Sequence, residues 1–270
     1  LTSTALVISQ LAKFVAVLIN FDEQKVPCCT LRVQKIHATA RNESAKRLIL
    51  DNRHGIGRKA EQLFPGMGAA ISTLWRDKQI EYTRLVSMSA APDEHYRPFW
   101  ELTRAALRHA VQALGLTLHA AAEERLMNQY HHLSCFPEVK PVLQALKSRG
   151  VAAGVLSNGD PPMLEVALKS AGLDGLLAPL LSVQAARRYK TDPAAYALGT
   201  AALQLPARDI LFVSGNAWDA IGAACFGYTT LWINRAGAPA EQLDTQPAYT
   251  ASNLRAVLDH FPNPARQSTP

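Results

Sequence analysis

Ser214, Asn216 and Asp219 follow the apolar run Ile210-Leu-Phe-Val213 at the spacing of a helical turn. A hydroxyl, an amide and a carboxylate gathered just past a strand can hold an anion and activate water, because an aspartate there can serve as a general base. Asp219 reads equally as a helix-start aspartate favoured by the helix dipole. A second group, Ser157-Asn158-Gly159, closes another apolar run and precedes a helix. Such a turn either offers backbone N–H groups to a carboxylate or phosphate, or simply caps the helix. Lys190, in Arg187-Arg188-Tyr189-Lys190, could hold an anionic nucleophile ionised. The commoner expectation for a lysine in such a basic loop is the surface. Arg76, after Trp75, could clamp an anion from a helix or be solvated.

The elements that must position these groups come in two kinds. From Lys59 to about Tyr130 the apolar spacing is helical, with a turn at Leu63-Phe64-Pro65-Gly66. A helix over 99–114 is expected to bury Leu102, Ala105, Ala106, His109 and Ala113, and Gly115 fits its end. From Pro137 short apolar strands (151–156, 180–183, 210–213, 229–233) alternate with helices (139–148, 162–170, 194–203, 218–226). Uniformly apolar strands in that alternation predict a parallel sheet covered on both faces. The fold class is therefore α/β, a Rossmann-like sheet core with a helical cap insertion. Ligands of such sheets bind at the carboxyl ends of the strands. That rule puts Ser157, Asn158, Ser214, Asn216 and Asp219 on one rim.

Bulk properties narrow the partners. The chain has 270 residues, 48% hydrophobic, with a net charge of +6. No basic run interleaved with aromatics accompanies that charge, so nucleic acid is not expected as a partner. The run 5–20 is interrupted by Gln10 and Lys13 and predicts no membrane span. Cys28, Cys29, Cys135 and Cys225 form no Cys-x-x-Cys pair and no zinc spacing with the histidines, so a reducing, cytoplasmic setting fits. Cys225 is expected in the core, and His131-His132 at the surface. No Gly-rich phosphate loop and no nucleotide, flavin or haem motif occurs, so no cofactor is expected. Asn216 brings no charge where a magnesium site would want a second acid, and no metal is expected either.

Taken together, Ala60-Glu-Gln-Leu-Phe-Pro-Gly66, Leu74-Trp-Arg76, Gln79-Ile-Glu-Tyr-Thr83, Leu156-Ser-Asn-Gly159, Tyr189-Lys190, Tyr196, Phe212-Val-Ser-Gly-Asn-Ala-Trp-Asp-Ala220 and Trp232-Ile-Asn-Arg235 resemble the haloacid dehalogenase superfamily, specifically its metal-free (S)-2-haloacid dehalogenases. The resemblance runs from about Arg58 to Phe261. It implies attack of an aspartate on C2 of a short 2-haloalkanoate, loss of halide, and hydrolysis of the enzyme ester to the inverted 2-hydroxy acid. By position it implies that Ser157 and Asn158 hold the substrate carboxylate. Arg76 and Asn216 would receive the halide, with Phe99 and Trp218 walling the pocket. Lys190 would pair with the nucleophile, helped by Ser214 and Tyr196, while Asp219 directs water. It further implies a homodimer.

The sequence departs from this pattern at its start. No Asp-x-x-Gly-Thr occurs, and gapless counting back from Arg76 puts the nucleophile near Ala45. The expected division is a divergent segment 1–57, a helical cap 58–135, a Rossmann-like core 136–262 and a disordered tail 263–270. A frameshift or misread start before residue 54 is the leading reading of the first segment, and the opening Leu1 agrees with it. Asp22 or Asp51 as a substitute carboxylate is the alternative. A replaced central strand would also lower stability through cavities and unpaired backbone groups. The rival functions are a phosphatase of the same superfamily and a non-catalytic relative.

Overall fold

The computed structural model describes residues 17–19, 50–51, 56–89, 91–131 and 134–262. Asp22, Ala45, Cys28, Cys29, His132 and the tail 263–270 lie outside the described residues. In chain order the elements begin with strands β1 (Val17–Ile19) and β2 (Leu50–Asp51). Helices α1 (Ile56–Leu63), α2 (Gly68–Met88), α3 (Pro92–His95), α4 (Phe99–Ala113) and α5 (Ala120–Met127) follow. Then come β3 (Ser134–Cys135), α6 (Val139–Ser148), β4 (Ala153–Ser157), α7 (Pro161–Ser170), β5 (Leu180–Ser182) and α8 (Pro193–Leu203). The chain continues through β6 (Leu211–Ser214), α9 (Ala217–Phe226), β7 (Thr229–Ile233) and β8 (Tyr249–Ala251).

Six strands form one parallel sheet in the order β5-β4-β1-β6-β7-β8. The central slot is filled by Val17–Ile19: Ile19 pairs with Val155 on one side and Val213 on the other. Strands β4 and β6 are buried along their whole length, as a sheet covered on both faces requires. One face packs Val155, Val213 and Leu231 against Leu143, Leu146, Leu164 and Leu168 of α6 and α7. The other packs Leu156 and Phe212 against Ala195, Tyr196 and Ala223 of α8 and α9. Gly222 is needed where α9 crosses Tyr196, because a Cβ there would stand 2.6 Å from the phenol oxygen.

A separate two-stranded antiparallel ribbon pairs Leu50 with Cys135 and Asp51 with Ser134. It brackets the helical block α1–α5 in sequence. Asp51 therefore ends no strand of the six-stranded sheet, which removes the backbone argument for it as a substitute carboxylate on the rim. The helical block has its own core of Ile71, Trp75, Ala106, Leu107, Ala110, Val111 and Leu126. The turn before α2 is tied by Glu61, whose carboxylate accepts from the Gly66 and Gly68 amides at 2.6 and 2.9 Å.

Two expectations fail on helix faces, and one strand is unanticipated. In α4 the buried stripe is Phe99, Leu102, Thr103, Ala106, Leu107, Ala110 and Val111; Ala105 and Ala113 are exposed. Cys225 is exposed, because α9 is apolar all round and only its Ala217, Asp219, Ala220, Ile221 and Ala223 face inward. Strand β8 has an exposed-to-half-buried pattern and no apolar run to announce it. Among the described residues no helix is long and apolar enough to cross a membrane.

Candidate active site

The rim is built by three loops at the carboxyl ends of β4 and β6 and before α8. Strand β4 ends at Ser157, whose Oγ accepts from the Gly159 amide at 3.0 Å. Strand β6 ends at Ser214, whose Oγ accepts from the Asn216 amide at 3.1 Å. The two turns are thus closed in the same way, each by the serine that terminates the strand. Asn216 occupies the cap position of α9, but its side chain does not cap that helix. Asp192 does cap α8, with Pro193 after it, and so fixes the loop that carries Lys190.

Lys190 is not at the surface; it is 1% exposed. Its ammonium donates to the Leu156 carbonyl at 2.8 Å and lies 3.4 and 3.5 Å from the two carboxylate oxygens of Asp219. The Phe212 ring sits 5.0 Å from the same nitrogen. Asp219 is fully buried and accepts from the Tyr196 phenol at 2.9 Å. Tyr196 is itself held by Tyr228, whose hydroxyl donates to the Tyr196 carbonyl at 2.6 Å. The Lys190 amide donates to Asn158 Oδ1 at 3.1 Å, which joins the two loops. Burial without a partner would make either charge very costly, so the pair exists only because each ion meets the other and further polar groups.

The place of this pair in the sheet matters. Leu156 follows Val155, the residue paired with Ile19, and Asp219 lies in the first turn after β6, whose Val213 also pairs with Ile19. Lysine and aspartate therefore flank the carboxyl end of β1. Among the described residues no group of three or more His, Cys, Asp or Glu could hold a metal ion.

Ser157, Asn158, Lys190, Tyr196, Ser214, Asn216 and Asp219 are brought together on this rim, all buried. In the helical block, Phe99, buried at the start of α4, is tied to the loop after β4 through its amide, while Arg76 is half-buried on α2 and is not joined to the rim by these bonds. Trp218 is half-buried at the start of α9, with the Arg84 guanidinium of α2 over its ring at 5.4 Å. Beside it, Ile80, Arg84, Tyr196, Trp218, Ile221 and Gly222 are among the residues lining an open cavity of about 1020 Å³ between α2 and α9. Ser157, Asn158, Lys190, Ser214, Asn216 and Asp219 do not line it, so this cavity is not the rim's own pocket.

Sequence reasoning assigns no role to two residues, Asp160 and Tyr189, although Tyr189 stands among the marks of the resemblance. Asp160 is buried, and its two oxygens accept from the Phe99 and Trp100 amides at 2.9 and 2.8 Å. Tyr189 is fully buried; its amide donates to Ser87 Oγ at 2.7 Å and its hydroxyl to the Arg97 carbonyl at 2.5 Å. An aspartate before Pro161-Pro162 signals a helix start, but nothing local says that its carboxylate serves a helix some sixty residues earlier.

A family model for haloacid dehalogenase-like hydrolases matches residues 29–227, reaching further toward the amino terminus than Arg58 and stopping short of Phe261. The chain is 41% identical over 208 residues to an (S)-2-haloacid dehalogenase of Pseudomonas sp. (strain YL), covering 77% of this chain and 88% of that protein. It is 37% identical over 205 residues to haloacetate dehalogenase H-2 of Moraxella sp. (strain B), covering 76% and 90%. A crystal structure of an L-2-haloacid dehalogenase superposes with a TM-score of 0.80 at 45% identity, covering 92% of this chain and 98% of that one.

Proposed function

The chain belongs to the haloacid dehalogenase-like hydrolases, and we propose that it hydrolyses short (S)-2-haloacids to (R)-2-hydroxy acids through an aspartyl ester. The observation that carries this reading is the buried Lys190–Asp219 pair beside the carboxyl end of the central strand. A carboxylate delivered there by the chain after Ile19 would meet an ammonium already desolvated and fixed. Asp22, three residues beyond Ile19, is the first carboxylate the chain supplies, and we assign it the nucleophile's role.

In the first step a carboxylate oxygen forms a bond to C2 from the side opposite the halogen. The carbon–halogen bond breaks and halide leaves with its electron pair. Lys190 keeps the carboxylate ionised in a site that strips its water. Ser157, Asn158 and the backbone N–H groups of their turn take the substrate carboxylate. Arg76 and Asn216 receive the halide, and Phe99 and Trp218 shape the apolar wall. In the second step Asp219, oriented by Tyr196, takes a proton from water as its oxygen attacks the ester carbonyl. Ser214 holds its turn in place through the Asn216 amide. Collapse breaks the bond between the ester carbonyl carbon and the 2-oxygen, which takes the proton from Asp219 and leaves as the hydroxyl of the 2-hydroxy acid, and loss of the remaining proton to solvent restores the nucleophile's carboxylate. No metal or cofactor is assigned a role. The proposal extends to a cytoplasmic homodimer, which sedimentation of the purified chain would test by mass.

The test is halide release from each enantiomer of 2-chloropropionate by the full chain without added metal. Turnover of the (S) form alone, giving (R)-lactate, is expected. With Asp219→Asn the ester should accumulate, and peptide mass spectrometry should find the adduct on Asp22. An adduct on another carboxylate would overturn the assignment of Asp22. No halide release from a folded chain would overturn the catalytic reading and leave a non-catalytic relative.

A further inference from the structure

Helix α4 begins Pro98-Phe99-Trp100, and its own cap residue, Pro98, makes no side-chain bond to the helix. Its first amides are nevertheless satisfied, because Asp160 reaches from the core and accepts from both Phe99 and Trp100. Asp160 holds the cap position of α7, where an aspartate side chain ordinarily serves its own helix, yet its carboxylate makes no bond to α7; only its backbone carbonyl does, accepting from the Leu164 amide at 3.1 Å. The carboxylate has been turned away from its local partner and given wholly to the helical block.

The loop that makes this contact is the one that carries Ser157 and Asn158. Asn158 in turn accepts from the Lys190 amide. Next to Lys190, Tyr189 grips Ser87 and the Arg97 carbonyl and stacks on Tyr96 with ring centroids 5.4 Å apart. Two of the three rim loops thus hold the end of α2, Arg97 and the first residues of α4, and they are bonded to each other.

We propose that Asp160 is a positioning residue. By capping α4 from the core, it fixes Phe99 and the helical block to the turn that takes the substrate carboxylate, so that the two halves of the site move as one. The assignment of that turn rests on the proposed function; the coupling itself rests on the bonds above.

Hydrogen exchange by mass spectrometry tests the coupling without needing turnover. In Asp160→Ala, the peptide holding residues 99–104 should exchange about fivefold faster, the effect of losing one helix cap. The peptide holding 187–191 should accelerate with it, and Asp160→Asn, which keeps one acceptor, should restore part of both. Unchanged exchange, or acceleration confined to 99–104, would overturn the coupling. Kinetics then separate positioning from plain structure. With (S)-2-chloropropionate, Asp160→Ala should raise KM about fivefold and leave kcat within twofold, again with partial rescue by asparagine. A raised exchange rate with unchanged KM would reduce Asp160 to a structural cap. Absence of turnover in the unsubstituted chain would sink the proposed function, and the exchange result would still decide the coupling.

Discussion

Among the described residues, one buried polar network lies in the helical block and another on the rim. In the block, Trp75 Nε1 donates to the Thr103 carbonyl at 2.7 Å, and Gln79 Nε2 donates to Thr103 Oγ1 at 2.6 Å and Tyr130 Oη at 3.3 Å. On the rim, Lys190, Asp219, Tyr196 and Asn158 are equally buried. The first network is neutral throughout and stitches α2 to α4. The second holds an ion pair at the end of the central strand. Burial and hydrogen bonding do not distinguish them; charge and place do. A neutral network can be replaced by apolar groups at small cost, whereas an ion pair out of water is poor value for stability and points to chemistry.

The sharpest way to break that contrast is Lys190→Met. It leaves Asp219 buried without its counter-charge and should cost about 3–5 kcal/mol in urea unfolding. Halide release should fall by roughly 10²–10⁴-fold. Adding Asp219→Asn should restore much of the stability and none of the activity. If Lys190→Met unfolds no earlier than Gln79→Met, the rim pair is not the special one. Tyr196→Phe comes next, removing a bond to a charged acceptor, with an expected loss of about 1.5–3 kcal/mol and a lower kcat. In the block, Trp75→Phe removes one neutral bond, about 1 kcal/mol, and leaves space in the core that costs roughly as much again, read as a lower urea midpoint, with kcat unchanged.

Asp160 stands between the two regions, and pH separates its cost from its use. Burial, the larger influence, raises its carboxyl above the usual 3.8, against the opposing pull of the Trp100 and Phe99 amides; nearby Glu101 raises it further. The folded chain then binds that proton more tightly than the unfolded chain. The stability this brings is complete below pH 3.8 and lost as pH climbs through the raised value. The unsubstituted protein should therefore lose ground to Asp160→Asn in thermal midpoint as pH rises from 3.8 through the raised value. A difference that is flat with pH would refute the effect of burial. The smallest change expected is Cys225→Ser, within about 0.5 kcal/mol, since the thiol is exposed. A larger loss would return Cys225 to the core that sequence reading gave it.

Alternation of short apolar strands with helices was enough to read the sheet, its parallel order of connection and the helical block, because those periods are local properties of the chain. The rim followed from the same pattern: strands that end in Ser157 and Ser214 must deliver them to one edge of a parallel sheet. The resemblance carried by Leu156-Ser-Asn-Gly159 and Trp218-Asp219 suggested the roles proposed for these groups. Where reading failed, an all-apolar helix gave no inner face, which misplaced Cys225, and small alanines gave α4 too wide a stripe.

What the sequence alone determined is thus the class of fold, the strand ends that bear polar groups and the family those groups resemble. It also determined that no Asp-x-x-Gly-Thr precedes them. Only the tertiary structure decided that Val17–Ile19 fills the central slot, that Lys190 is buried against Asp219, and that Asp160 caps a helix far away in the chain. Each of these depends on contacts between residues distant in sequence. Periodicity and turn chemistry are set by neighbours a few residues apart, whereas the partner of a buried charge is chosen by the packing of the whole sheet.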